Sequence, residues 1–308
     1  MTGQDKIPVV EGFIPFRGFR TWYRMVGEME GPGKFPLICL HGGPGASWDY
    51  LEPLEAIAMT GRRVIFYDQL GSGNSDEPHN PTMYTIDLFV EELETVRQTL
   101  GLKRVHILGQ SWGGMLAMEY VLTQPSGLAS LILADTTASA SQWVAEANRL
   151  VSDLPVVVQK TIREHEEAGT TNSPEYKEAY RVFSLRHICR IDPRPECVTR
   201  MAAKPGDEVY RTMWGLSEIN VTGSLKDWDI TDRLGEIHLP ALVLCGRHDE
   251  ATPALAETIQ RGIPGSEWII FENSAHFPHI EETEKYLQVL GRFLDRVEAM
   301  YLYSSDPL

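Results

Sequence analysis

The chain has 308 residues, of which 43% are apolar and 23% charged, and its formal net charge is −15. Those proportions exclude a mainly disordered chain and allow one large domain or two modest ones. The negative field argues against nucleic acid or an anionic membrane surface as a partner, and in its plainest role keeps the chain in solution.

The opening segment, MTGQDKIPVVEGF, has no apolar stretch of signal-peptide length. Residues 8–14 and 19–26 are predicted to form two antiparallel edge strands, and Gly31-Pro32-Gly33 a turn. From there short apolar runs alternate with helical stretches. The runs are 36–40, 63–67, 104–108, 129–133, 241–245 and 267–271, and near-continuous apolar runs suit strands covered on both faces. Helical periods fall near 50–60, 85–100, 111–125, 253–262 and 282–299. In 85–100 they gather Ile86, Phe89, Val90, Leu93 and Val96 on one face, with Thr85 as N-cap and Gly101 past the end. Between about 138 and 232 the alternation stops, and helical periods at 141–152, 155–168, 174–188 and 205–214 follow one another without a strand.

This order predicts an α/β chain with a mostly parallel, eight-stranded sheet flanked by helices and a helical insertion. Residues 1–137 and 233–308 form the expected core domain, and 138–232 a cap over the carboxyl ends of the strands, where open parallel sheets bind ligands. No segment approaches the ~20 apolar residues needed to span a bilayer. Cys39, Cys189, Cys197 and Cys245 form no C-x-x-C pair. Cytoplasmic residence with reduced thiols is the expectation.

The chemistry-bearing segments sit at strand ends. Gly109-Gln110-Ser111-Trp112-Gly113-Gly114 follows the run 104–108 and opens a helix. A G-x-S-x-G turn between strand and helix is the nucleophile elbow of the α/β-hydrolase fold, with small neighbours where strand and helix approach. Ser111 is the expected nucleophile. Acyl transfer passes through an oxyanion that needs two N–H donors. Trp112, the residue after the nucleophile, is one expected donor. Gly43, in His41-Gly42-Gly43-Pro44-Gly45 after the run 36–40, is the other. His41 reads as support for that loop, and Asp68 as a turn residue.

A serine needs a hydrogen-bonded base, and in this fold an acid and then a histidine follow the serine in the chain. Asp249 follows the run 241–245 and His276 follows 267–271, so they are the expected acid and base. His279 competes as base and otherwise reads as a surface loop residue. Asp135 and Glu250 compete as acid, while His248 reads as structural. No metal or organic cofactor is required by this machinery.

HGGPG, FYDQLGSGNS, GQSWGG, LCGRHDEATP and SAHFPH together resemble the proline iminopeptidase family, from about residue 36 to the end and including EANRLVSDLP and KDWDITDRL. The chain is most similar in pattern to the tricorn-interacting aminopeptidases and related amino-acid amidases. The resemblance implies release of one N-terminal residue, proline or another apolar one, from a short peptide or an amino-acid amide. It also implies carboxylates that pair with the substrate's free ammonium, a role that falls to Glu250 and to Glu218. The W-x-x-W-E signature of some family members is not matched cleanly by Met213-Trp214-Gly215-Leu216-Ser217-Glu218, which puts strict proline preference in question. Trp112, Trp143, Trp214 and Trp228 serve either a pocket or ordinary packing. An esterase, lactonase or amidase with the same triad is the alternative, and a binding protein on a hydrolase scaffold a remoter one. The oligomeric state stays open.

Overall fold

The computed structural model describes residues 7–303. The start of the segment read as lacking a signal peptide and the end of the C-terminal tail lie outside them, as do the outer limits 1 and 308 of the expected core domain.

Strands β1 (Val9–Phe16) and β2 (Phe19–Val26) form a hairpin whose Arg17-Gly18 turn has φ values of 48° and 87°. Positive φ at both turn residues matches the right-handed twist of the strands it joins. Then come β3 (Leu37–Leu40), β4 (Val64–Tyr67), α1 (Ile86–Thr99), β5 (Val105–Gln110), α2 (Trp112–Leu122) and β6 (Leu128–Ala134). Five helices follow without a strand: α3 (Ala140–Ser152), α4 (Val156–Ala168), α5 (Pro174–His187), α6 (Glu196–Ala202) and α7 (Asp207–Met213). The chain closes with β7 (Ala241–Gly246), α8 (Pro253–Gly262), β8 (Glu267–Phe271), α9 (Pro278–Glu281) and α10 (Thr283–Tyr303).

The eight strands make one sheet in the order β1-β2-β4-β3-β5-β6-β7-β8. Only the β1–β2 and β2–β4 pairings are antiparallel. Side chains alternate between faces: Ile38, Leu40, Ile65 and Tyr67 pack under α1, α2 and α8, while Leu37, Cys39, Val64 and Phe66 pack against α10 and the turns of Trp48–Thr60. Burial on both faces is why these runs read as continuous apolar stretches.

Three local expectations are refined. Residues 48–60 wind as 3₁₀ turns with Pro53 inside them, which removes a backbone donor. The stretch 282–299 is one helix that runs on to Tyr303, and a short helix, Pro278–Glu281, precedes it across Glu282. Helix α6, only seven residues long and set behind Pro193 and Pro195, is too short to show a period. In α1, Thr85 caps as the sequence indicates, its side chain accepting from Leu88 N–H at 3.2 Å. Ile86 and Val90 are only half-buried, and Leu88 and Glu92 take places in the buried face.

Beneath the sheet, on the side away from the strands' carboxyl ends, lies a buried ion cluster. Arg62 donates to both oxygens of Glu298, at 2.8 and 2.6 Å, and Glu298 also accepts from Phe35 N–H at 2.9 Å. His106 stands 3.3 Å from the same carboxylate. Although burial raises its pKa, hydrogen bonds from His106 and Arg62 outweigh that and hold Glu298 at about 2, against an ordinary value of 4.5. Its stabilising contribution is therefore complete above about pH 4.5 and is lost as pH falls toward 2. Glu298→Gln takes from buried Arg62 its buried counterion, leaving only the more exposed Asp295 at 2.6 Å, and should cost on the order of 3 kcal/mol. Urea unfolding across pH 2–7 should show that cost at neutral pH and a flattened acid limb.

Candidate active site

The sheet order brings the chemical segments together. The carboxyl ends of β3, β5, β6, β7 and β8 lie side by side, with Leu40 opposite Gly109, Gln110 opposite Ala134 and Ala134 opposite Leu244. The loops that leave them carry Gly43, Ser111, Asp135, Asp249 and His276.

Ser111 has φ 56° and ψ −124°, a conformation costly for any residue with a side chain and sustained only where its surroundings dictate it. Here its N–H donates to Ala134 O at 2.9 Å, and its carbonyl accepts from the Thr136 hydroxyl at 2.7 Å. The turn also needs two glycines. A Cβ on Gly109 would meet Gly113 O at 2.1 Å, and one on Gly113 would meet Leu40 O at 2.3 Å. Trp112 begins α2, so its N–H has no acceptor within the helix. In the loop after β3, Gly42 N–H is engaged by the Tyr50 hydroxyl at 2.6 Å, which leaves Gly43, at φ 110°, as the expected donor.

His276 Nδ1 donates to Asp249 Oδ1 at 2.6 Å, and both residues are buried. Asp249 Oδ1 also accepts from Ala251 N–H at 2.8 Å. The end of α5 holds both loops, since Glu250 N–H donates to His187 O at 3.0 Å and His276 N–H to Ile188 O at 3.1 Å. A second chain of bonds ties the loop after β3 to the base. The Tyr50 hydroxyl donates to Gln110 Oε1 at 2.6 Å, and Gln110 Nε2 donates to His276 O at 3.1 Å.

The competitors sit elsewhere. His279 is a buried residue and not the surface histidine the sequence suggests. Its Nε2 donates to Tyr50 O at 3.1 Å, and burial holds its pKa near 3. His41 is buried with a pKa near 4. The carbonyl of His248 accepts from His187 Nδ1 at 2.9 Å. Asp135 accepts from Gly246 N–H at 3.2 Å, while the hydrogen bond from His276 Nδ1 is accepted by Asp249. Burial, then the charge of Asp249, raises the pKa of Asp135 well above the carboxylate range. Asp68 accepts from the backbone N–H groups of Trp48 and Asn74, both at 2.7 Å.

Ser111, His276, Gly43, Glu218 and Glu250 line one cavity of about 270 Å³, with Tyr50, Gln110, Met201, Tyr210 and Phe277. Its wall carries three carboxylates, Asp207, Glu218 and Glu250, and no lysine or arginine. Glu250 is buried, and its Oε1 lies 3.8 Å from His276 Nε2. Glu218 accepts from the Tyr210 hydroxyl at 2.7 Å. Burial raises both pKa values, and the charge of Glu218 adds to the rise at Glu250. None of the four tryptophans lines the cavity: Trp143 packs edge-on to Trp214 and to His276, and Trp228 Nε1 donates to Glu119 at 2.7 Å. Tyr50, Tyr210 and the end of α5 escape sequence reasoning, because no spacing links them to the elbow, and Gln110 sits in the elbow without any sequence sign of its partners Tyr50 and His276.

Elsewhere, Glu77, His79 and Glu208 bring metal-ligating atoms within 4.8 Å of one another, and none of the three lines the cavity. Among the described residues no helix is long and apolar enough to cross a membrane.

Comparisons with known proteins agree with this architecture. Residues 36–283 match the family model described as the alpha/beta hydrolase fold. A proline iminopeptidase from Clostridium botulinum is 43% identical over 291 residues, 94% of this chain and 99% of its own length. The crystal structure of VinJ superposes with a TM-score of 0.90 at 40% identity, covering 94% of this chain and 99% of that one. The crystal structure of a proline iminopeptidase from Mycobacterium smegmatis gives 0.87 at 39% identity, covering 95% and 100%.

The elbow is the most readily tested element. Gly109→Ala drives a methyl group into Gly113 O, so the turn must open and Ser111 must shift. Labelling of Ser111 by a fluorophosphonate should slow by about 100-fold, and thermal unfolding should report a loss of about 1–3 kcal/mol.

Proposed function

The chain belongs to the proline iminopeptidase family of α/β hydrolases, and we propose that it releases an N-terminal residue, proline or another apolar one, from short peptides or amino-acid amides through a seryl acyl-enzyme. The observation that carries the proposal is the position of Glu218 and Glu250. Two carboxylates with raised pKa values share a small cavity with Ser111 and His276, and among the described residues no lysine or arginine lines it. Buried carboxylates crowded in this way call for a cation, and the cation a peptidase substrate brings is its terminal ammonium or prolyl iminium.

In this reading the ammonium docks between Glu218 and Glu250, which sets the scissile carbonyl of the same residue, on the other side of its Cα, over Ser111. Ser111 Oγ attacks the carbonyl carbon as His276 Nε2 takes the hydroxyl proton. Asp249 holds the imidazole by Nδ1 and stabilises its charged form. The N–H groups of Gly43 and Trp112 bind the oxyanion. The leaving amine departs with the proton from His276. Water then attacks the acyl-enzyme, gives a proton to His276, and Ser111 recovers its own. Residues 138–232 act as a cap domain over a core of 1–137 and 233–308. The cavity volume is at the small end of ligand sites, which favours one residue on the acyl side.

An ester or lactone substrate uses the same triad, but it leaves the two glutamates without a counterion. The decisive experiment compares kcat/KM for prolyl, alanyl and leucyl anilides with their N-blocked forms and with a neutral short-chain ester. Free-amine anilides should be preferred, and blocking should abolish turnover. Glu250→Gln and Glu218→Gln should lower kcat/KM for the prolyl anilide by about 100-fold each while sparing the ester. Preference for the ester with indifference to blocking would remove the peptidase reading.

The raised pKa values make a further prediction. Glu218 and Glu250 attract a cation only when ionised, so acid pH removes that attraction sooner than for an ordinary carboxylate. The ratio of kcat/KM for the prolyl anilide to that for the ester should fall as pH is lowered, because both substrates share the triad and only the anilide needs the glutamates ionised.

A further inference from the structure

Gln69 does not line the cavity, yet it joins the two segments expected to hold the oxyanion. Its backbone N–H donates to His41 Nε2 at 2.9 Å. Its side-chain Nε2 donates to the His41 carbonyl at 3.0 Å, and its Oε1 accepts from Trp112 Nε1 at 2.8 Å. A carbonyl only accepts and an indole N–H only donates, so the amide has one possible orientation. The backbone bond likewise assigns the His41 proton to Nδ1, which donates to Gly42 O at 2.9 Å. With its pKa near 4, that imidazole stays neutral at ordinary pH. Gln69 is almost fully buried, and the neighbouring Asp68 is itself held by Trp48 and Asn74.

We propose that Gln69 is a positioning residue of the oxyanion hole, in which one side-chain amide sets the separation between the Gly43 and Trp112 backbone donors. The inference rests on the assignment of those two donors in the proposed mechanism. Donors work only within hydrogen-bond reach of the developing oxyanion, and a displacement of about 1 Å costs on the order of 100-fold in rate. The His41 carbonyl belongs to the peptide unit leading into Gly42 and Gly43, while Trp112 carries the other donor on its own backbone. Gln69 therefore touches both sides of the hole and neither the substrate nor Ser111.

Two variants separate the halves of this clamp. Gln69→Glu keeps an acceptor for Trp112 Nε1 but sets a carboxylate oxygen against the His41 carbonyl. Trp112→Phe removes the indole N–H and leaves the bond to His41. Each is compared with wild type by kcat and KM on prolyl anilide, by the rate of Ser111 labelling with a fluorophosphonate, and by thermal unfolding. Gln69→Glu should lower kcat and the labelling rate about 10- to 100-fold, with KM within about 3-fold of wild type. Trp112→Phe should move both rates in the same direction.

Labelling places a developing negative oxygen in the same hole without using the substrate amine. If wild type labels but does not cleave prolyl anilide, the peptidase reading fails and labelling alone decides the role of Gln69. A folded Gln69→Glu protein with unchanged kcat and labelling would overturn the proposal, even if its melting temperature fell, and so would a change confined to KM. Should Gln69→Glu fail to fold, unchanged labelling in Trp112→Phe would overturn it equally.

Discussion

The hydrogen bond from His276 to Asp249 is the interaction on which the rest of the site depends. It joins two loops that leave adjacent parallel strands, β7 and β8. An imidazole with two ring nitrogens has one left for the serine only if the other is held, and the carboxylate does that holding. The sheet supplies the separation between the loops, and the elbow on β5 brings the serine to the same edge. Parallel pairing thus does more than build a core, because it delivers every reacting segment to one side of the molecule.

Charge is the second organising feature. Asp135, Glu250 and Glu218 are buried carboxyl groups whose pKa values burial raises, and the charge of Asp249 adds to the rise at Asp135 and Glu250. Glu218 and Glu250 face the cavity, where in the proposed mechanism a cationic substrate would relieve the crowding. The opposite device operates beneath the sheet, where Arg62 keeps Glu298 ionised. The same side-chain chemistry thus supports stability at one end of the strands and recognition at the other.

Much of this was legible in the residues. Apolar runs located β3 to β8, most of them covered on both faces and so continuous in apolar character, and alternation located the edge strands β1 and β2. Small residues around Ser111 marked the elbow, since the close approach of strand and helix tolerates nothing larger. The contacts that tune the site were not legible. Gln69 and Trp112 are 43 positions apart, and Gln110 and His276 are 166 apart. A polar side chain reads as surface until the fold supplies its partner. His279 is the same case in reverse, a histidine next to the expected base that the fold buries against a backbone carbonyl. Helix α6 was missed for a different reason, since seven residues between prolines carry no period.

The end of α5 has a consequence for how such a site opens. Its last carbonyls hold the backbone N–H groups of Glu250 and His276, so in the proposed reading the cap and the base share a hinge point. A roof that lifted at α5 would release the loop carrying the imidazole and the glutamate that faces the substrate. Entry and catalysis are then interlocked: the arrangement that admits a large ligand past α5 is one in which the base is no longer held. In that reading traffic passes where the helical segment is not tied to the base, and a substrate too bulky for that route would disarm the enzyme that admits it.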